Sequence, residues 1–459
     1  MTRAAAIDYV TEYFDSGAFL DDLSRRVGYR TESQARPLPA ALREYLEHEM
    51  VPAAQRLGGH ARVLDNPDPR GGPLLIAHRD EDPRLLTVLT YGHADVVLGE
   101  EHRWRTGLDP WLVTIEGDHW YGRGTADNKG QHTINLAALE QVIRARQGRL
   151  GFNLKILIET GEESGSPGLR EFCAEHRGEL TADLLVGSDG PRVAAERPTV
   201  FLGTRGAAWF TLRAALRERA HHSGNWGGLL RNPATVLANA VACLVDGRGR
   251  IQVPELRPPA IPANVRAALD DIEVGGDPDD PPVDTDWGEP GLTPAERVIG
   301  WNTLEVLSLA AGNPGTPINA IPGSAHAHCQ LRFVVGTDIA SMHGALRAHL
   351  DRHGYSMITI EPGGVMNASR TDPDNPWVRF ALDSLERTAG ITPALLPNLG
   401  GSLPNDVFTD ELGLPTIWVP HSYPACAQHA PDEHLLAPLA RQSLQLMAGL
   451  FWDLGDHPR

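Results

Sequence analysis

DLLVGSDG, at residues 183–190, is a short apolar run that stops at an aspartate, Asp189. Two other stretches end the same way. LLTVLTYGHAD (85–95) runs into His93 and Asp95, and NLKILIETGEESGS (153–166) runs into Glu162 and Glu163. Short apolar runs bounded by turn residues read as buried strands. GPLLIAH (72–78) and TVFLG (199–203) are of the same kind, and residues 131–146 carry a helical pattern. Apolar runs alternating with helices predict an α/β fold: a mostly parallel sheet flanked by helices. Ligands of such sheets sit beyond the carboxyl ends of the strands, which is where these acids and His93 fall. WYGRGTADNKG (120–130) adds Asp127, in a glycine-rich turn that leads into the helix.

The chain has 459 residues, more than one ordinary core holds, which predicts two domains. Its net charge of −18 disfavours nucleic acid and anionic membrane as partners. Cys173, Cys243, Cys329 and Cys426 form no C-x-x-C pair, so buried, reduced thiols are expected. The N-terminal pattern carries acids throughout and does not read as a signal peptide. No run of about 18 apolar residues occurs, so a cytoplasmic protein without a membrane span is expected.

Residues 2–30 and 38–57 have helical periodicity. After Gly206 the texture changes. AAWFTLRAALRER and TPINAIPGSAHAHCQLRFVVG alternate like antiparallel strands, and helical patterns cover 233–245 and 338–353. A Pro- and Asp-rich excursion with a short helix inside spans 254–290. From about 377 the chain returns to helix, loop and strand (PTIWVP, 415–420) and closes with a helix at 434–454. The expected division is a catalytic domain of residues 1–205 and 371–459, with an inserted α+β domain of 206–370.

In Y-G-H-A-D, strand alternation points His93 and Asp95 the same way. A metal-bound imidazole commonly gives its other N–H to a carboxylate, the role Asp95 fits. Asp127 either caps the helix that follows or bridges two metal ions with its two oxygens. Glu162 and Glu163 repel unless a cation or proton relieves them. Adjacent side chains diverge, so Glu163 can bind metal while Glu162 serves as general base and acid. In Q-H-A-P-D-E-H (428–434), either His429 or His434 can supply a second nitrogen ligand. Imidazole and carboxylate without thiolate suit zinc, with cobalt or manganese as substitutes.

In combination and order, H-x-D, G-R-G-x-x-D-x-K-G, E-E-S-G-S, S-D-G and H-x-P-x-E resemble the M20 metallopeptidases, especially the cytosolic dipeptidases related to carnosinase. The resemblance runs from about residue 80 to the C-terminus. It implies His93, Asp127 and Asp189 on one metal, and Asp127, Glu163 and His429 on the other, which selects His429 over His434. It also implies a cis Asp127–Asn128 bond, Glu162 as the catalytic acid/base and Asp95 as the support of His93. By the same resemblance the inserted domain is a lid and dimerisation domain. His222, in H-S-G-N-W-G-G, would act in the partner subunit's site, with the adjacent His221 ranked second. Asn319 and Arg332 would contact substrate, and Gly401 and Ser402, in G-G-S-L-P, would help cradle its terminal carboxylate. Asn319 departs from the threonine of the carnosinase-like enzymes, which bears on substrate preference.

The expected function is therefore a homodimeric di-zinc peptidase of dipeptides or short peptides with a free C-terminal carboxylate. An N-acyl amino acid deacylase with the same centre is the alternative, and a metal-free peptide-binding relative the remote one. A nucleotide-binding protein is excluded for want of G-x-G-x-x-G or G-x-x-x-x-G-K-S/T.

Overall fold

The computed structural model describes residues 2–275 and 281–458. The chain divides into two compact units. One is Met1–Gly203 with Arg370–Pro397 and Leu403–Arg459; the other is Thr204–Ser369 with Asn398–Ser402.

The first unit is built on an eight-stranded sheet. Its order is His60–Leu64, Leu74–Arg79, Asn153–Glu159, Thr87–His93, Leu184–Gly187, Thr416–Trp418, Thr199–Phe201, Ala394–Leu396. Asn153–Glu159, Thr87–His93, Leu184–Gly187 and Thr416–Trp418 lie side by side and parallel. Their residues are almost all buried, as continuous apolar runs require when both faces are covered. Antiparallel pairs flank them: Leu74–Arg79 on Asn153–Glu159, and Trp418 opposite Phe201. The sheet is thus parallel in its middle and mixed at its edges.

Helices Lys129–Ala145 and Ala437–Asp456 pack on each other, and Arg3–Asp15 packs on both. Nearly every residue of Lys129–Ala145 is buried, including Gln131, His132, Thr133 and Asn135. Two boundaries differ from the sequence pattern. Residues 2–30 form two helices, Arg3–Asp15 and Ala18–Val27, parted at Gly17, whose φ of 87° glycine adopts without penalty. The last helix begins at Ala437 rather than at 434, because His434–Leu436 pairs as a strand with His119–Tyr121.

The second unit has a four-stranded antiparallel sheet in the order Thr303–Ala311, Ser324–Phe333, Gly206–Ala215, Thr359–Met366. Leu237, Leu244, Leu346 and Leu350 of helices Pro233–Leu244 and Met342–Arg352 share its core with Phe210, Leu212 and Leu331 of the sheet. TLEVLSLAA (303–311) is rich in helix-forming residues. It is a strand because it pairs along its length with Ser324–Phe333. The short helix inside the excursion is Ala263–Leu269, and residues 276–280 of the excursion lie outside the described residues.

Candidate metal centre

Neighbouring parallel strands deliver most of the candidate residues of the first unit. His93 is the last residue of its strand, Glu162 and Glu163 form a short turn beyond Asn153–Glu159, and Asp189 follows Leu184–Gly187. His429 lies in the loop after Thr416–Trp418. Asp127 comes from the turn before helix Lys129–Ala145, and its peptide bond to Asn128 is cis.

Asp127 is the hub. Its Oδ1 is 2.9 Å from His93 Nε2 and its Oδ2 2.9 Å from His429 Nε2. His93 Nε2 also lies 3.5 Å from Asp189 Oδ2, and His429 Nε2 3.1 Å from Glu163 Oε2. His93, Asp127 and Glu163 each offer a ligand atom, all within 4.8 Å of one another. Of the two expectations for Asp127 the capping one fails: Asn128 is the N-cap, without a side-chain capping bond, and both Asp127 oxygens face imidazoles. Asp95 does two jobs. His93 Nδ1 is 3.1 Å from its main-chain carbonyl and 3.4 Å from its carboxylate. The same carboxylate accepts the Glu162 and Glu163 amides at 3.2 and 3.1 Å, which fixes the acidic turn.

The electrostatics are those of a site short of positive charge. Burial raises the Glu163 carboxyl to about 7, helped by the Asp127 charge. Burial and the same charge raise Asp189 to about 7. Burial also pushes Glu162 well above the carboxylate range, with Asp189, Glu163 and Asp127 adding to it against His93. Asp127 stays anionic despite burial, because hydrogen bonds from His429 and His93 pull it far down. Hydrogen bonds to Asp127 and Glu163 lift His429 to about 11. A divalent cation would relieve the crowded carboxylates. Among the described residues Asp189 Oδ2 is buried without a hydrogen-bond partner, which leaves its lone pairs free for a cation. The donor set fits a metal.

Two contributors were not assigned a role from sequence. Glu433 Oε1 accepts the amides of Gly124, Ala126 and Asp127, each at 3.0 Å, and its Oε2 takes Arg123 Nη1 at 2.7 Å. Both side chains are 1 % exposed. This clamp joins the Asp127 turn to the His429 loop, beside the pairing of His434–Leu436 with His119–Tyr121. The loop needs the anchor: Ala427, His429 and Asp432 all have positive φ, each costing about 1–3 kcal/mol. Gln428 Nε2 donates to Asp127 Oδ2 at 2.5 Å. The signal for Glu433 was its place in H-x-P-x-E; Gln428 had none. His434 stands apart from the cluster, its Nε2 2.6 Å from the Tyr423 hydroxyl.

The remaining expected residues belong to the second unit. His222 pairs with Ala320 and His221 with Ile321 in a two-stranded ribbon, and Ser223 N donates to the Asn319 carbonyl at 2.9 Å. His222 is exposed. Arg332 Nη1 donates to Ser402 Oγ at 2.9 Å, and Gly401 is exposed.

Residues 89–452 match the model of peptidase family M20/M25/M40, and the chain belongs to that family. It is 32 % identical to human Beta-Ala-His dipeptidase over 274 residues, 56 % of this chain and 53 % of that protein. The match thus spans about half the length of that relative. It is 27 % identical to the cysteinylglycine-S-conjugate dipeptidase of Corynebacterium striatum over 69 % of this chain and 70 % of that one. The fold is that of human carnosine dipeptidase 1, with a TM-score of 0.79 at 23 % identity over 99 % of both chains. The Saccharomyces cerevisiae dipeptidase Dug1p gives 0.80 at 20 % identity over 100 % of both chains. Among the described residues no helix is long and apolar enough to cross a membrane.

Proposed function

We propose that the chain is a di-metal hydrolase of dipeptides or short peptides with a free C-terminal carboxylate. One observation carries the reading: the two oxygens of Asp127 each face a different imidazole at 2.9 Å, as suits a carboxylate shared by two ions. His93, Asp127 and Asp189 would hold one ion, and Asp127, Glu163 and His429 the other. Two imidazoles and three carboxylates suit two Zn2+, with Mn2+ or Co2+ as substitutes. When bound, the ions would polarise the scissile carbonyl and lower the pKa of the attacking water toward about 7.

Glu162 takes the proton of that water and returns it to the leaving amine nitrogen. Burial raises its proton affinity in the direction such a shuttle needs. Asp95 holds the His93 ring from its Nδ1 side, which leaves Nε2 toward the ligand cluster. The dipeptidase names of the relatives support the substrate class.

In the second unit, Arg332, Ser402 and Gly401 would take the substrate carboxylate, with Asn319 beside the substrate. His222 of a second copy would polarise the carbonyl, which makes the active form a homodimer joined through this unit. The exposed edge strand Thr303–Ala311 supports it, with Val306, Leu307 and Leu309 at 37, 56 and 49 % exposure. Four free cysteines suit a reducing, cytoplasmic setting.

The test is metal content of the purified protein, with dipeptide hydrolysis before and after chelation. About two ions per chain, with activity lost on chelation and restored on re-addition, is the expected result. Neither metal nor hydrolysis would overturn the reading. Cleavage of N-acetyl amino acids in preference to dipeptides would turn it to a deacylase.

A further inference from the structure

Arg205 and Arg332 of the second unit have no carboxylate in ion-pair range among the described residues. Arg205 is 8 % exposed. Its Nε and Nη2 both donate to the Gly400 carbonyl, at 3.2 and 3.1 Å, and its Nη1 lies 3.5 Å from the Trp301 carbonyl. Arg332 donates from Nε to Gln330 Oε1 at 3.0 Å and from Nη1 to Ser402 Oγ at 2.9 Å. The Ser402 hydroxyl donates to the Arg205 carbonyl at 2.8 Å.

Buried arginines elsewhere in the chain are handled differently. Arg26 and Arg123 face Glu49 and Glu433. Among the described residues Arg192 has no carboxylate in ion-pair range, but it is 1 % exposed and all its nitrogens donate, to Pro420 O, Ala195 O, Gln442 and Ser443. Arg205 instead stands near a second cation, beside a loop that reaches the surface. Burial, and then the Arg332 charge, lower its pKa to about 10, against the weaker pull of the Glu305 carboxylate. Two like charges in a desolvated place call for an anion.

The hold on Gly400 has a geometric consequence. The Gly400 carbonyl and the Gly401 N–H belong to one planar peptide group, and in the trans form they point in opposite directions. A guanidinium gripping the oxygen with two donors therefore turns the N–H away from itself. Gly401 is exposed, and its amide donates to nothing among the described residues. Leu399 is fixed as well, by the Arg205 amide to its carbonyl at 3.2 Å, and Asn398 by its side chain to the Ile299 carbonyl at 3.1 Å.

We propose that Arg205 is the positioning residue of the carboxylate subsite: it aims the Gly401 N–H at the ligand and adds a second positive charge behind Arg332 and Ser402. This rests on the reading above that Arg332 and Ser402 receive a free carboxylate. The site then selects a substrate that ends in a carboxylate over one that ends in an amide.

The test uses the full-length, metal-loaded protein. Binding of a free L-amino acid and of its C-terminal amide is measured by calorimetry, with kcat and KM on a dipeptide alongside. Arg205→Gln is expected to shrink the preference for acid over amide about tenfold, with KM rising more than kcat falls. Arg205→Lys keeps the charge, loses the two-donor grip and should fall in between. It carries the same test should Arg205→Gln not fold. If Arg332→Gln abolishes the preference while both Arg205 variants keep it, Arg205 has no such role. Equal losses for acid and amide would also overturn the proposal, leaving Arg205 a packing residue. If Arg332→Gln keeps the preference, or the native protein shows none, the carboxylate subsite itself is overturned.

Discussion

Glu433 in one unit and Arg205 in the other do mirror-image work. Glu433 grips the amides of Gly124, Ala126 and Asp127 with one carboxylate oxygen. Arg205 grips the Gly400 carbonyl with two guanidinium nitrogens. Each is a buried charge that fixes a loop carrying candidate binding groups. The difference is the counter-ion: Glu433 has Arg123 at 2.7 Å, and among the described residues Arg205 has no carboxylate in ion-pair range, only the weaker pull of Glu305. A charge that is already neutralised serves the fold alone. One left uncompensated beside a like charge also biases what can bind. The acids around Asp127 show the same logic with the sign reversed, since they outnumber the cations available to them.

The comparison breaks first if the acid cluster does not act as a catalytic centre. Glu162→Gln removes the proton carrier and keeps the shape, so kcat on a dipeptide should fall about 10²–10⁴-fold while metal content is retained. A variant that keeps native kcat would remove Glu162 from the chemistry.

Next in size is the clamp. Glu433→Ala leaves Arg123 buried without its charge partner and strips three amides of their acceptor. A loss of about 3–5 kcal/mol is expected in denaturant unfolding. A loss below 1 kcal/mol would mean that the neutralised clamp is not what holds the His429 loop, and the contrast with Arg205 would fail. The smallest expected effect sharpens the comparison. Gln428→Ala removes the 2.5 Å bond to Asp127 Oδ2 and should weaken metal binding about tenfold in a calorimetric titration, with little change in stability. Unchanged affinity would make Gln428 a bystander.

Much of the sheet was legible because parallel strands buried on both faces must be continuous apolar runs, and a run that ends in His, Asp or Glu marks the carboxyl end. His93, Asp127, Glu163, Asp189 and His429 could be named for that reason and for their motifs, and the described structure brings them together. Edge strands were harder. HARVL at 60–64 and ALL at 394–396 are short and half exposed or isolated, so nothing in their composition separates them from loops. TLEVLSLAA (303–311) has helix-forming composition, and only its partner strand makes it extended.

What the sequence by itself determined is therefore the layer type, the strand ends and the chemistry placed at them, because burial periodicity and ligand chemistry are local properties. The tertiary structure decided that Gln428 joins His429 on Asp127, how Glu433 ties two loops far apart in sequence, and that Asn398–Ser402 packs with the second unit. Each of these depends on a side chain reaching a side-chain or main-chain group far along the chain. Such pairings are fixed by strand register and buried charge, and no window of sequence contains both partners.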